Sequence, residues 1–216
     1  IENSSNGIVS DTIHCLDEYD LKIIAEVMID VHLAFATSND DLQKFTKIYS
    51  KDIAFGQCRN FLQDLRLDEV ELIPVESTAK AAKLATKDET AGALCPAVAA
   101  KINNLPIRFN NVEDDTNNKT RFFIISDFDN LPSGNDKTSI LVRLLDRPGA
   151  LVEFLNNFEK ANVNLTKIKS HIVEGKSIFF IEFNGHKDDA EIKPILERYK
   201  DEIKVLGSYV KEIDDI

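Results

Sequence analysis

The chain is poor in the residues from which special chemistry is usually built. It has three Cys, one Met (Met28), no Trp and four His in 216 residues. An odd, low cysteine count excludes a disulfide scaffold. Cys15, Cys58 and Cys95 all lie in apolar sequence surroundings, which suits a reducing cytoplasm. No run approaches about 18 consecutive apolar residues, so no membrane span is expected. The opening IENSSNG is polar and is no secretory signal. There is no basic stripe either. Residues 1–136 carry 13 Lys+Arg against 23 Asp+Glu, and residues 137–216 carry 13 against 14. Nucleic-acid affinity depends on phosphate neutralisation, so nucleic acid is excluded as a partner. The HExxH, paired CxxC, P-loop and GxGxxG patterns are all missing. His14, His32, His171 and His186 have no ligand-like spacing, so neither a metal nor an organic cofactor is expected. The chain opens on Ile1 rather than Met, inside what reads as a motif, which predicts an N-terminally truncated chain.

What is present reads as two α/β units. Residues 20–36 predict one or two strands. Residues 40–50 predict a helix after the cap-type Asn39, with Leu42, Phe45 and Ile48 at helical spacing. Ile53 and Ala54 predict a short strand, and 55–65 a helix with Phe55, Cys58 and Leu62 on one face. A strand at 70–75 leads into an Ala-rich helix at 77–88 that opens with Ser77 and Thr78. A buried strand at 92–96, a helix at 96–103 with Pro96 in its first turn, and extended segments at 107–114 and 120–126 follow. This alternation predicts a largely parallel sheet. The Pro-, Gly- and Asn-containing stretch 127–137 predicts a linker. Residues 138–216 predict strand 138–146, a helix from Pro148 to 162, strand 163–173, the turn EGK, strand 177–185, a helix within 188–200 that either starts near Pro194 or kinks there, and strand 202–210. The order βαββαβ is the ferredoxin-like pattern. The acidic residues Asp11, Asp17, Glu18 and Asp20 read as solvated surface.

The stretches IENSSNG (1–7), SKDIAFGQC (50–58), ESTAKAA (76–82), GALCPAVAA (92–100) and NNKTRFFII (117–125) occur in the order and spacing of the prephenate dehydratase catalytic domain. RPGALVEFL (147–155) and LTKIKS (165–170) resemble the ACT regulatory domain that follows it. The resemblance implies an α/β fold: a two-lobed, periplasmic-binding-like catalytic domain at 1–126, here without its N-terminal part, then linker 127–137 and a ferredoxin-like ACT domain at 138–216. It implies a cytoplasmic lyase of phenylalanine biosynthesis that removes water and carbon dioxide from prephenate to give phenylpyruvate, without a cofactor.

The same resemblance assigns residues. Thr120 lies in the family's Thr-Arg-Phe triplet and is the implied catalytic residue. A hydroxyl is a weak acid at neutral pH, so Thr120 reads as a positioned donor to the leaving hydroxyl. Glu2, Asn3, Ser50, Gln57, Glu76, Ser77, Thr78, Arg121 and Phe122 are the implied substrate-binding positions. Strand alternation sets Thr120 and Phe122 on one face and Arg121 on the other. Glu76, Ser77 and Thr78 read equally as a plain helix start and as a carboxylate-binding corner. Gly149, Ala150, Leu151, Val152 and Ser170 are the implied effector positions, for phenylalanine or another amino acid. Two stretches depart from the family. Lys51, Asp52 and Ile53 stand where it has His-Pro-Gln. Lys169, Ser170, His171 and Ile172 stand where it has Glu-Ser-Arg-Pro, which changes the charge a bound amino acid would meet. Two readings stay open: an allosterically regulated dehydratase, or a catalytically inactive module that binds a small ligand or amino acid. A homodimer or homotetramer is expected, because a small four-stranded sheet has edges that need covering. The family occurs with and without a preceding chorismate mutase segment.

Overall fold

The computed structural model describes residues 1–4, 7–41, 44–173 and 176–211. The chain forms two compact units. One comprises residues 1–29 with 120–216, the other residues 30–119.

The 30–119 unit is a five-stranded sheet in the order Glu71–Pro74, Lys47–Ser50, Ala91–Cys95, Ala34–Ala36, Ile107–Asn110. The first three strands are parallel to one another; the last two join antiparallel. The sheet is therefore mixed rather than largely parallel. Residues 45–50, predicted as helix, end in the strand Lys47–Ser50, while Leu42 lies outside the described residues. Ile48 is fully buried there. The strand has a parallel neighbour on each side, and that non-local pairing outweighs a local helical spacing. Ile53 and Ala54 are helical instead of extended. The predicted 55–65 helix is two short ones, Asp52–Gln57 and Arg59–Asp64, broken where Cys58 leaves helical geometry. Helix Thr78–Ala85 forms as predicted: Ser77 caps it by accepting from Lys80 N at 3.1 Å, and buried Ala81, Ala82 and Ala85 let it lie close to the sheet.

The other unit holds two four-stranded sheets. One runs in the order Gly7–Ile8, Glu2–Asn3, Lys119–Ser126, Lys22–Asp30. Helix Ser10–Glu18, which the sequence reading did not foresee, buries Ile13 and Leu16. The other sheet is antiparallel in the order Leu165–Val173, Lys176–Asn184, Asp136–Val142, Ile203–Val210. With helices Ala150–Lys160 and Lys193–Arg198 it makes the βαββαβ order. Pro194 sits in the first turn of the second helix, so that helix starts near the proline rather than kinking. The first helix begins at Ala150, after Gly149 in the left-handed region (φ +83°), and not at Pro148. The predicted EGK turn falls partly on residues 174–175, outside the described residues. One face of this sheet packs Phe154, Phe158, Ile192 and Ile195 of its own helices. The other packs Ile13, Leu16 and Ile23 from the start of the chain.

Three expectations about side chains fare differently. Cys58 and Cys95 are buried, and burial pushes their thiols up to about 12 and about 11. Cys15 is exposed despite its apolar neighbours in sequence. Asp11, Glu18 and Asp20 are exposed, but the Asp17 side chain is only 13% exposed and pairs with Arg143.

Candidate active site

In the first unit, strand Lys119–Ser126 carries the Thr-Arg-Phe triplet. Glu2–Asn3 pairs with it antiparallel, setting Asn3 opposite Thr120 and Glu2 opposite Arg121. Asn3 Nδ2 donates to Thr120 Oγ1 at 3.0 Å. Among the described residues this is the hydroxyl's one hydrogen bond, and the hydroxyl accepts in it. Its own proton is therefore free to be donated. Phe122 and Ile124, on the same face, are 46% and 45% exposed.

Arg121 points the other way, as strand alternation requires. It is 5% exposed. Its Nε donates to Glu26 at 2.7 Å, and its Nη1 and Nη2 donate to the two oxygens of Glu182 at 2.9 and 2.7 Å. Nη2 also donates to the Tyr209 hydroxyl at 3.2 Å. Burial alone would lower the Arg121 pKa; hydrogen bonds and charge from Glu182 outweigh this, and the shift is upward. Burial, then Glu182, holds the Tyr209 phenol well above its ordinary value. Arg121 was expected to bind substrate. In this structure its Nε, Nη1 and Nη2 all donate to the buried Glu26, Glu182 and Tyr209. Glu2 pairs with Lys167.

In the second unit, each of the three parallel strands ends at the start of a helix. Ser50 leads into Asp52–Gln57, Pro74 into Thr78–Ala85, and Cys95 into Ala97–Ile102. Ligands of open α/β sheets bind beyond the carboxyl ends of such strands. Ser50, Glu76, Ser77 and Thr78 all lie at that end. A cavity of about 430 Å³ opens there, lined by Lys51, Asp52, Pro74, Val75, Glu76 and Lys80. Glu76 is exposed and paired with Lys80 at 2.8 Å, and Lys80 holds its carboxyl below the usual range. Ser50 is fully buried and donates to Leu94 O at 2.7 Å, so its hydroxyl joins neighbouring strands. Gln57 is half-buried at the end of its helix. The sequence reading missed Lys80 as a lining residue. Its signal was the spacing of four from Glu76. It noted Lys51 only as a departure from a pattern.

Among the effector positions, Gly149 adopts a backbone that favours glycine, Val152 is 61% exposed, and Ser170 is exposed. His171 Nε2 is buried without a hydrogen-bond partner among the described residues. Burial, then His14 and Lys169, lowers its pKa. Among the described residues no three His, Cys, Asp or Glu side chains group as a metal site.

These features define a class: an α/β protein with a cavity where parallel strands lead into helices, a strand threonine that accepts a hydrogen bond from Asn3, and a ferredoxin-like βαββαβ fold. Residues 1–130 match the model of the prephenate dehydratase family, and residues 138–201 that of the ACT domain. The chain belongs to the prephenate dehydratase family. It is 40% identical to a bifunctional chorismate mutase/prephenate dehydratase of Aquifex aeolicus, over 99% of this chain and 60% of that protein. It is also 40% identical to a prephenate dehydratase of Methanocaldococcus jannaschii, over 97% and 79%. The crystal structure of a prephenate dehydratase from Arthrobacter aurescens in complex with L-Phe superposes with a TM-score of 0.84 at 29% identity, over 95% of this chain and 71% of that one. The chain spans 60% of the length of the bifunctional relatives it matches. No helix among the described residues is long and apolar enough to cross a membrane.

Proposed function

We propose that this chain carries the dehydratase and regulatory parts of an enzyme that converts prephenate to phenylpyruvate, with residues 1–126 catalytic, 127–137 a linker and 138–216 regulatory. The observation that carries the reading is the Asn3–Thr120 hydrogen bond, which leaves the threonine proton available. In the reaction the ring hydroxyl leaves with a proton as water. The ring carboxylate leaves as carbon dioxide, and its electron pair completes the aromatic ring. One proton is consumed, and Thr120 is the group that donates a hydrogen bond to the departing oxygen. Exposed Phe122 gives Thr120 an apolar neighbour on the same face. Taken by itself, the cavity of the 30–119 unit offers a carboxylate the amino end of helix Thr78–Ala85 and the side chains of Lys51 and Lys80. Local donors must do this work, because the net charge of −11 gives a dianion no long-range attraction.

The regulatory reading is that phenylalanine, or another amino acid, binds at Gly149–Val152 and Ser170. The L-Phe complex of the Arthrobacter relative supports it. The edge strand Leu165–Val173, with Ile168 and Ile172 exposed on it and Val152 exposed on helix Ala150–Lys160, supports a homodimer or homotetramer built on this half. A cytoplasmic location fits a biosynthetic role.

The test is prephenate turnover, read as phenylpyruvate absorbance in base, on this chain and on a version extended at its start by the matching segment of the Methanocaldococcus relative. Thr120→Ala should lose at least about a hundredfold in kcat. A folded, extended protein that leaves prephenate untouched would sink the activity. Binding of labelled phenylalanine by that same protein would then favour the inactive amino-acid-binding module.

A further inference from the structure

The largest set of buried charges among the described residues takes no part in the chemistry just proposed, yet it sits directly beneath the residue that does. Glu26, Arg121, Lys137 and Glu182 have side chains 3%, 6%, 13% and 2% exposed. Two cations face two carboxylates, so the group can be buried without net charge. Around it, Lys137 Nζ donates to both Glu26 oxygens at 2.8 and 3.1 Å. Ser139 donates to Glu182 at 3.0 Å, and Tyr209 to Glu182 at 3.1 Å. The Arg121 guanidinium also lies 4.8 Å from the centre of the Phe123 ring.

We propose that Arg121 is the positioning residue for Thr120, and that Glu182 and Tyr209 of the ACT sheet hold it in place. The inference rests on Thr120 being the donor to the leaving group. Strand Lys119–Ser126 has little else to fix it on its outer face. There Phe122 and Ile124 are exposed, and Thr120 has Asn3 alone as hydrogen-bond partner among the described residues. On one edge its neighbour is the two-residue strand Glu2–Asn3. On the inner face, by contrast, a planar fork is held at Nε, Nη1 and Nη2 at once, and a bidentate guanidinium tolerates neither rotation nor sliding. Adjacent strand residues are rigidly coupled, so the fork sets the direction of the Thr120 hydroxyl. The ACT sheet is then part of the seat of the catalytic strand, and a shift of strands Lys176–Asn184 or Ile203–Val210 reaches Thr120 through Glu182 and Tyr209.

The experiment compares the wild-type chain with Glu182→Gln, Glu182→Asp and Tyr209→Phe. Two readouts are taken: amide hydrogen exchange by strand, and kcat and KM for prephenate. Glu182→Gln should raise exchange in Lys119–Ser126 at least about tenfold while strand Ala91–Cys95 stays unchanged. It should lower kcat about tenfold or more with KM within about twofold, because misplacing a group costs rate rather than binding. Glu182→Asp, which keeps the charge, should recover most of the rate. Tyr209→Phe should move both readouts the same way by less. Unchanged exchange in a folded Glu182→Gln protein overturns the proposal, as does a rise in KM with kcat intact. If Glu182→Gln does not fold, Tyr209→Phe decides, and no change in either readout overturns it. If the wild type leaves prephenate untouched, the activity reading fails by itself and exchange alone decides whether the clamp exists.

Discussion

The 30–119 unit buries alanine where the other unit buries charge. Its layer of Ala36, Ala81, Ala82, Ala85, Ala93 and Ala100 lets helices lie close on a sheet, with Leu105 and Cys95 completing the cluster. Its second core is aromatic and aliphatic, centred on Phe35 against Phe45 and Phe61. Among its described residues the one deeply buried carboxylate, Glu113, is met by Leu33 N at 2.8 Å and His32 at 2.7 Å. Its strong cation–carboxylate pair, Lys47 with Asp88, stays partly open to water. The other unit places Arg121, Glu26, Lys137 and Glu182 in the interior. Close packing tolerates small shifts of helix on sheet. A buried ionic cluster does not, because each partner lost leaves an uncompensated charge. The difference separates a unit suited to presenting helix ends from one suited to fixing a strand.

The largest expected effect breaks the ionic side of this contrast. Arg121→Met leaves Glu182 and part of Glu26 uncompensated and should cost about 3–5 kcal/mol in urea unfolding. Adding Glu182→Leu should recover much of it, because the Glu26–Lys137 pair remains and the lost partners are lost together. A double variant as unstable as the single one would show that the cluster is not the source of the cost.

A smaller effect compares packing in the two units through their glycines. A Cβ at Gly207 would lie 2.2 Å from the Ile23 carbonyl oxygen, at a φ of +153°. A Cβ at Gly92 would lie 2.5 Å from the Phe35 ring. Gly207→Ala meets backbone that cannot move aside, so it should lower the thermal midpoint more than Gly92→Ala. The latter should cost about 1–3 kcal/mol. The reverse order would mean that the Phe35 core is the less yielding of the two.

The third effect is confined to acid. The side chain of Lys47, followed by that of Thr90, lowers the Asp88 pKa to about 2. A carboxylate depressed on folding stabilises above its unfolded value of about 3.9, and that contribution fades as pH falls toward the folded value. Asp88→Asn should therefore destabilise the 30–119 unit at pH 6 and have much less effect near pH 2. Equal destabilisation at both pH values would show that charge is not involved. The smallest effect is expected at Glu76→Gln, whose pair with Lys80 is exposed; unfolding should move less than for any variant above. A clear change in prephenate KM at the same position would mark it as a binding residue rather than a helix start.

Much of the fold was legible because it is written locally. The 78–85 helix follows from alanine content and a serine cap. The βαββαβ order follows from alternation of periods and from Pro194 at a helix start. What misled was also local. Phe45 and Ile48 stand at helical spacing, yet 47–50 is a strand, because two distant strands offered it partners. Arg121 shows the same limit at the candidate site. Its place beside Thr120 suggested substrate, while its partners lie at positions 26, 182 and 209.

The sequence alone determined the family and the strand face on which Thr120 stands, since motif order and strand alternation need no partner. Only the tertiary structure decided that Arg121 is spent on Glu182, that Ser50 is sealed against Leu94, and that the ACT sheet is covered on both faces. Each of those depends on groups brought together from far apart in the chain, and the energy of burying a charge or closing a sheet exists only once they meet.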